Sequence, residues 1–315
     1  MYGELALFSG RANPGLTQEI CDYLDVPLQG VSIIDYPNEN IFVKLHSSVR
    51  GQDVFIIQPL TSPVNQSIME LLIMIDTLKR ASAGRITAVM PYYAYARSDK
   101  KDQPRVPITA RLLADLITVA GADRYMTIDL HAGQIQGFFS IPGDELTAFH
   151  ILSDYLKKKQ IPQATIVSAD LGFAKKARNF AEKLRLPMAF IEKRRADGGM
   201  DVEDLTLIGQ VEGRNCIIVD DEVDTGGSMT EAVWLVKANG ARDIYLSFAH
   251  ALFSDPAVER LRELPIKEIV TTNTAFLPPE KRLRNVTVLS VAPLLGEVIR
   301  RTHLGISVGE WLKDV

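Results

Sequence analysis

Short apolar runs alternate with amphipathic segments along the chain. The runs "VFII", "ITAVM" and "CIIV" lack the polar residue at every second position that a half-exposed strand shows, which indicates strands buried on both faces. Strands that alternate with helices predict a parallel sheet and hence an α/β fold. After the first run, apolar residues recur at helical spacing: Ile68, Leu71, Leu72, Ile75 and Leu78.

A unit of strand, polar loop, helix and strand occurs twice. "DVFIIQPLTSP" and "AGRITAVMPYY" flank the first helix, and "NCIIVDDEVDTGGS" and "NGARDIYLSFAH" flank the second. Ser62 is predicted to cap the first helix, with Pro63 at its first position, and Gly84 and Gly240 are predicted to terminate the two helices. The repeat predicts two α/β lobes that meet within residues 140–150. Two scaffolds without a shared site are the alternative.

Composition and charge narrow the class of protein. The 315 residues leave room for two domains, and 46% hydrophobic with 23% charged residues is typical of a globular protein. A net charge of −4 gives no basic field for nucleic acid. The start "MYGELALFSG" does not resemble a secretory signal, and the most apolar helical stretch, "IMELLIMIDTL", is too short to cross a bilayer. With only Cys21 and Cys216 available for disulfides, we expect a cytoplasmic protein.

The stretch "IIVDDEVDTGGS" concentrates acids and glycines where a strand ends. In an open parallel sheet, ligands bind beyond the carboxyl ends of the strands. Gly226 and Gly227 allow backbone amides to point at one anion, and the helix that starts near Ser228 favours a phosphate. Asp220 and Asp221 are suited to bind sugar hydroxyls, directly or through a divalent metal. A sugar phosphate satisfies both features, whereas a solvated acidic turn is the alternative.

Two further clusters are cationic. "YARSDKKDQPRVPITA" follows the strand "ITAVM" and predicts a second polyanion site, although a solvated charged face has the same composition. "IEKRRADGGMD" places Lys193 and its neighbours before two glycines, which suits a cationic mobile loop that excludes water; an exposed hairpin is the alternative. His131 follows another apolar strand and is, from the residues alone, a metal ligand or a core histidine.

Taken in order, these motifs resemble the ribose-phosphate pyrophosphokinase family. "IIVDDEVDTGGS" resembles the phosphoribosyl pyrophosphate loop of the type I phosphoribosyltransferase fold, and "SVRGQDVFIIQ", "DLHAGQIQGFF" and "EKRR" extend the likeness over nearly the whole chain. The resemblance implies transfer of the β,γ-pyrophosphoryl group of ATP to the anomeric hydroxyl of ribose 5-phosphate. It also implies two phosphoribosyltransferase-like domains, residues 1–146 and 147–290, with segment 291–315 joined to the first. A homo-oligomer built from dimers, commonly a hexamer, is a further implication.

The resemblance also implies roles for individual residues. Lys193 and Arg195 would be catalytic. His131 and Asp170 would bind Mg²⁺. Ribose 5-phosphate would be bound by Asp220, Asp221, Asp224, Thr225, Gly226, Gly227 and Ser228. ATP would be bound by Tyr36, Asn38, Asn40, Arg97, Ser98, Asp99, Lys100 and Lys101. Regulatory anions would be bound by Ser47, Arg50, Arg80 and Ser82.

The chain departs from the family pattern at two regions. The adenine-contacting loop, usually Phe-Ser-Asp-Gly-Glu, reads "YPNEN", so two carboxylates are replaced by Asn38 and Asn40 and the nucleotide preference is open. Pro104 replaces a serine of the regulatory site, which predicts weakened phosphate activation and ADP inhibition.

Two alternative functions are a phosphoribosyltransferase, against which "RSDKKD" and "EKRR" argue, and a non-catalytic regulatory subunit, against which the retained Lys193 argues.

Overall fold

The computed structural model describes residues 3–195 and 203–314. Two compact units divide the chain. The first comprises Met1–Thr147, Thr274–Phe276 and Ser290–Val315, and the second comprises Ala148–Asn273 and Leu277–Leu289. In the described part of the chain, no helix is both long enough and apolar enough to cross a membrane.

Strands and helices alternate along most of the chain. Two short 3₁₀ helices cover Gly133–Phe138 and Pro279–Lys281. In chain order the other elements are β1 (Leu5–Ser9), α1 (Pro14–Leu24), β2 (Val31–Asp35), β3 (Ile41–Leu45), β4 (Asp53–Ile57), α2 (Val64–Arg80), β5 (Arg85–Met90), α3 (Thr109–Ala120), β6 (Arg124–Ile128), β7 (Gly143–Leu146), α4 (Phe149–Lys159), β8 (Ala164–Ser168), α5 (Ala174–Leu184), β9 (Met188–Arg195), β10 (Glu203–Ile208), β11 (Asn215–Val223), α6 (Gly227–Ala238), β12 (Ile244–Ala251), α7 (Ala257–Glu263), β13 (Ile266–Thr272), β14 (Val286–Leu289), α8 (Ala292–Leu304) and α9 (Val308–Asp314).

The first unit contains an all-parallel sheet in the order β1-β4-β5-β6-β7. Every residue of β4 is buried, as the unbroken apolar run predicts for a strand covered on both faces. Strands β2 and β3 form a separate antiparallel hairpin. Helix α8 packs against α1, and its His303 contacts the fully buried Asp53, which also accepts two hydrogen bonds from Arg85.

The second unit contains a sheet in the order β10-β9-β8-β11-β12-β13-β14, in which only β10 is antiparallel to its neighbour among the described strands. The chain leaves β8 toward β9 on one side and leaves β11 toward β12 on the other. The carboxyl ends of β8 and β11 therefore flank a topological switch point, where open α/β sheets bind ligands.

Two of the predicted helix ends are wrong and one is confirmed. Ser62 does not cap α2; Pro63, in an extended conformation, occupies the N-cap position, and the helix begins one residue later. Gly84 does not follow the helix end directly, because Ser82 takes the left-handed conformation there, with φ of 61°. Gly240 follows α6 with φ of 84°, a conformation that favours glycine.

Candidate active site

The acids of the "DDEVDTGGS" stretch begin inside a strand and not in a loop, contrary to the sequence prediction. Pairing with β12 continues β11 as far as Val223, and the strand therefore includes Asp220, Asp221 and Glu222. Asp221 and Glu222 are each 7% exposed. The alternative of a solvated acidic turn is wrong, because these carboxylates are largely withdrawn from water.

The carboxylates of this site repel one another. Burial, followed by the charges of Asp221 and Asp170, raises the pKa of Asp220 well above its ordinary value. Asp170 follows β8, accepts a hydrogen bond from the Phe173 amide at 2.8 Å, and so approaches the acids of β11 from the neighbouring strand. A buried group of like charges calls for a bound cation or a retained proton.

The glycines of the same stretch lie at the N-terminus of helix α6. Gly226 has φ of 75°, and α6 begins at the next residue. Thr225 and Ser228 are exposed on either side of the glycine pair. The backbone amides that precede the first turn of α6 have no partner within the helix, which makes this position suitable for an anion.

Arg260, on α7, supports the glycine loop and was missed by sequence reasoning. Its Nη1 donates a hydrogen bond to the carbonyl oxygen of Thr225 at 3.0 Å. Thr230 adds a second support, because its hydroxyl donates to the Gly226 carbonyl oxygen at 2.8 Å. Arg260 lies 35 residues from Thr225 and belongs to no motif, so the sequence carries no signal for this contact.

Lys193 lies in a strand and not in a loop, contrary to the prediction of a cationic loop. Its Nζ donates to Glu231 Oε2 at 2.8 Å and to Ser228 Oγ at 3.3 Å, which brings the ammonium to the glycine loop. Beyond Phe190 the registered pairing of β9 is with β10, so Lys193 stands on a two-stranded ribbon that extends past β8. The backbone of Arg195 ends β9, but its side chain, together with Gly198 and Gly199, lies outside the described part of the structure.

In the first unit, the loop after β5 forms a cleft of about 300 Å³. Arg97, Ser98 and Lys100 line this cleft, and their role in binding a polyanion stays a prediction. Asp99 is instead 7% exposed and accepts a hydrogen bond from Gln134, which places it under the loop. Lys101 is exposed and is not among the lining residues, which also include Tyr95, Asp102, Val106 and Pro107.

His131 lies at the same carboxyl edge, three residues after the end of β6. Its side chain is exposed, so the alternative of a core histidine is wrong. In residues 3–195 and 203–314, no group of three or more His, Cys, Asp or Glu has the arrangement of a metal site. A metal role for His131 and Asp170 therefore stays a prediction.

The "YPNEN" residues form the exposed turn of the β2–β3 hairpin. The Tyr36 amide donates to the Asn40 carbonyl oxygen at 2.9 Å, and Asn38 Oδ1 accepts from the Asn40 amide at 3.3 Å. The Tyr36 ring is 47% exposed and lies 6.0 Å from the Phe42 ring. An exposed aromatic ring flanked by two amides can stack on a base and exchange hydrogen bonds with it.

Of the four residues predicted to bind regulatory anions, Arg50, Arg80 and Ser82 lie near the amino ends of β4 and β5, whereas Ser47 follows β3. Arg50 forms a bridge with Ala83, and the Gly51 amide donates to the Ser82 carbonyl oxygen at 2.9 Å, so Arg50 and Ser82 are neighbours. Arg80 pairs with Asp76 on its own helix at 2.7 Å. Ser47, which follows β3, donates to the Gln29 side chain at 3.3 Å.

Mostly parallel sheets, with a glycine loop at the switch point of the second, define an α/β protein with a candidate anion site. Comparison with known proteins gives its family. A family model described as the N-terminal domain of ribose phosphate pyrophosphokinase matches residues 5–121, and a model described as the phosphoribosyl synthetase-associated domain matches residues 200–313. The ribose-phosphate pyrophosphokinase of Caldanaerobacter subterraneus is 48% identical over 307 residues, which are 97% of each chain. That of Synechocystis is 44% identical and covers 98% of this chain and 93% of its own.

A solved structure gives the same result. The crystal structure of phosphoribosylpyrophosphate synthetase from Mycobacterium smegmatis matches with a TM-score of 0.92 and 43% identity, covering 96% of this chain and 100% of its own. The chain therefore belongs to the ribose-phosphate pyrophosphokinase family and is an enzyme. The resemblance and the α/β fold with mostly parallel sheets are confirmed.

Proposed function

We propose that this enzyme transfers the β,γ-pyrophosphoryl group of ATP to the anomeric hydroxyl of ribose 5-phosphate, giving phosphoribosyl pyrophosphate and AMP. One observation carries the proposal: the Lys193 ammonium donates to Ser228 in the first turn of α6, the helix that follows the buried acids of β11 and the glycine pair. The site thus offers amides for a phosphate, carboxylates for sugar hydroxyls and a cation for a transferring phosphoryl group.

Ribose 5-phosphate binds, in this proposal, across the switch point of the second unit. The amides of Thr225, Gly226, Gly227 and Ser228 hold the 5-phosphate, with the hydroxyls of Thr225 and Ser228 as further donors. Asp220 and Asp221 accept hydrogen bonds from the ribose hydroxyls, and Asp224 lies between these acids and the glycines. A sugar without the 5-phosphate leaves the loop amides unsatisfied and binds weakly.

The residues of the second unit fit Mg²⁺, because carboxylate oxygens are the ligands this ion prefers. Burial and the charges of Asp221 and Asp170 raise the pKa of Asp220, and a bound cation would counter both effects. In the second unit Asp170, Asp220 and Asp221 would hold the ion, and His131 is a further proposed ligand in the first unit. When bound, the ion neutralises charge on the phosphates and on the ribose hydroxyl oxygens.

ATP binds, in this proposal, to the first unit. Arg97 and Lys100 line the cleft beyond β5 and supply charge for the phosphates, and Ser98 adds a hydroxyl. Lys101 lies on the exposed side of the same loop, and Asp99 braces the loop through Gln134. The exposed turn of Tyr36, Asn38 and Asn40 contacts the adenine ring.

Catalysis then consists of positioning and charge neutralisation, because phosphoryl-type transfer requires little covalent chemistry from the protein. Lys193 leaves Glu231 and donates to the transferring pyrophosphoryl oxygens, and Arg195 supplies a second cation. The hydroxyl proton of the attacking ribose passes to solvent or to phosphate oxygen, so no strongly basic side chain is required.

The proposal also covers the cellular location and the oligomeric state of the enzyme. The enzyme acts in the cytoplasm, which the free thiols of Cys21 and Cys216 support, and it forms a homo-oligomer built from dimers, of which a hexamer is the expected size. Ser47, Arg50, Arg80 and Ser82 bind regulatory anions, with a response weakened by Pro104.

Phosphorus NMR of the purified enzyme with Mg²⁺, ATP and ribose 5-phosphate tests the reaction. We expect AMP and a sugar-linked pyrophosphate to appear together, and neither to form when ribose 5-phosphate is omitted. Formation of ADP would mean transfer of a single phosphoryl group and would sink the mechanism. Absence of turnover with ATP and with other triphosphates would favour the regulatory subunit.

A further inference from the structure

A chain of ion pairs connects helix α2 to the β2–β3 hairpin through Arg11, a residue outside the ligand contacts proposed above. Glu70, on α2, is 2% exposed. It accepts hydrogen bonds from the Arg11 amide and from Arg11 Nε, both at 2.6 Å, and from Gln58 Nε2 at 3.1 Å. The three hydrogen-bond donors hold the Glu70 carboxylate in place, because moving it away from them would leave an unpaired charge in the core.

The other end of the Arg11 guanidinium binds Asp35. Nη1 lies 2.6 Å from Oδ2, and Nη2 lies 2.8 Å from Oδ1. Two parallel bonds from a planar group fix direction as well as distance. Gln66, one turn before Glu70 on α2, donates to Asp35 Oδ2 at 3.3 Å. The hydrogen bond from Arg11 also lowers the pKa of Asp35, so this carboxyl is ionised at neutral pH.

Asp35 occupies a position from which it can orient the hairpin turn. It is the last residue of β2, pairs with Ile41 across the hairpin, and directly precedes Tyr36. Val43 is buried at the base of the hairpin, whereas Ile34 and Phe42 near the turn are 47% and 40% exposed. Apolar packing therefore holds the base, and a bidentate ion pair holds the chain at the start of the turn.

We propose that Arg11 is a positioning residue for nucleotide binding, which links buried Glu70 to Asp35 and so orients the turn at residues 36–40 toward the base. The inference rests on the proposed function, in which this turn contacts adenine. Arg11 acts through the hairpin and touches no ligand. Its contribution therefore affects nucleotide affinity and leaves ribose 5-phosphate affinity unchanged.

The informative variant is Asp35→Asn. Removing Arg11 itself would leave Glu70 buried and unpaired, and a folding defect would then obscure the result. Asp35→Asn keeps the shape of the side chain, removes the charge that Arg11 binds, and leaves every contact of Glu70 intact. Asp35→Glu is the conservative variant that retains the charge. Asp115→Asn is the matched control, because it cuts an exposed ion pair with Arg111 on α3, at 2.9 Å.

Two measurements on the full-length protein test the proposal. Hydrogen exchange without ligands reports the hairpin directly, through the Tyr36 amide that bonds the Asn40 carbonyl oxygen. Calorimetric titration with Mg²⁺ and ATP, without ribose 5-phosphate, reports nucleotide affinity. For Asp35→Asn we expect exchange of the turn to accelerate and the Kd for ATP to rise, each by about fivefold, which is the upper range for an exposed ion pair.

The following results in the control variants would support the positioning role of Arg11. Asp35→Glu should recover most of the affinity, Asp115→Asn should match the parent, and the KM for ribose 5-phosphate should be the same in all variants. The fivefold difference between parent and Asp35→Asn should also shrink at about 1 M salt, because screening weakens the exposed ion pair.

Contrary outcomes separate this inference from the proposed function. Unchanged exchange in Asp35→Asn, or faster exchange with unchanged ATP affinity, would overturn the positioning role while leaving the reaction untouched. If the parent binds ATP and Asp35→Asn shows both expected changes, the positioning role stands even when phosphorus NMR shows no phosphoribosyl pyrophosphate, and only the proposed reaction fails.

Discussion

The two sheets carry opposite charge at their carboxyl edges. In the first unit, the loop after β5 presents Arg97 and Lys100 around a cleft. In the second unit, Asp170 follows β8 and Asp220 lies within the neighbouring strand β11. Burial and the charges of Asp221 and Asp170 raise the pKa of Asp220. Similar strand–helix units thus place cations after a strand in one case and buried carboxylates within a strand in the other. Loops and strand ends, and not the architecture, determine the chemistry.

The sheets also differ in strand order. The first runs β1-β4-β5-β6-β7, so successive strands are added on one side, whereas the second reverses direction between β8 and β11. The reversal separates the helices that follow these two strands and leaves a crevice at their carboxyl ends. The buried acids of β11 therefore lie beside this crevice, whereas the cations of the first unit lie on the loop after β5.

Among the variants that test this comparison, Lys193→Ala should have the largest effect on activity, because it removes a cation from the acidic edge of the second sheet. We expect kcat to fall by roughly 10³–10⁵, the range for cations that stabilise charge on a transferring phosphoryl group. Folding should change little, since the Lys193–Glu231 pair is part-exposed. Single-turnover kinetics gives the measurement, with Lys267→Ala, which cuts an exposed pair with Asp243, as control. A loss of less than tenfold would remove Lys193 from catalysis.

Asp220→Asn should remove the charge that distinguishes the second edge. Because the folded-state pKa of Asp220 is raised, its stabilising contribution is complete below the unfolded value of ~3.9 and is lost as pH rises through the folded value. Metal-free parent enzyme should therefore lose stability over that window, and Asp220→Asn should lose less. Mg²⁺ at 100 times its Kd should restore about 2.7 kcal/mol to the parent near neutral pH.

Urea unfolding from pH 4 to 8, with and without Mg²⁺, measures both effects. Asp243→Asn is the control, because Asp243 is an exposed carboxylate of the same unit that is paired with Lys267. Equal stabilisation of parent and Asp220→Asn by Mg²⁺ would contradict a cation site at this carboxylate.

Arg260→Ala should have the smallest effect, because it leaves all ligand-contacting groups in place. It removes the hydrogen bond to the Thr225 carbonyl oxygen and so loosens the glycine loop. A hydrogen bond from a charged donor contributes ~1.5 kcal/mol, so the KM for ribose 5-phosphate should rise about tenfold while the Kd for ATP stays constant. Arg262→Ala, on the same helix, provides the control. An equal rise in the ATP constant would indicate general unfolding.

Local pattern was enough to predict the elements of the fold. Uninterrupted apolar runs predicted the buried strands. Of the five apolar residues at helical spacing, Ile68, Leu71, Ile75 and Leu78 are buried, whereas Leu72 is half-buried. The glycine pair predicted the start of α6 because the positive φ at Gly226 has a recognisable residue preference. Such signals depend on residues that are neighbours in sequence, and they can therefore be recognised in one amino-acid sequence without a structure.

The remaining features depend on neighbours in space. The end of β11 was placed too early, because only its pairing with β12 shows that Asp220 belongs to the strand. Arg260 contacts the glycine loop from α7, and Glu231 of α6 binds Lys193, in both cases without a motif. The link from Glu70 through Arg11 to Asp35 likewise joins residues that are distant in sequence. Ser62 failed as a cap because Pro63 takes the capping position in an extended conformation.

Because Lys193 lies in strand β9, an insertion before it in the strand would change the direction of its side chain. An insertion after the strand would not. Side chains alternate between faces along a strand, so Ile191 and Lys193 share a face while Glu192 points away from it. Inserting one residue between Met188 and Lys193 would shift the register and turn the ammonium away from Ser228. Insertions after Arg195 would leave that parity intact. Natural variation in hairpin length should therefore be confined to the stretch between β9 and β10.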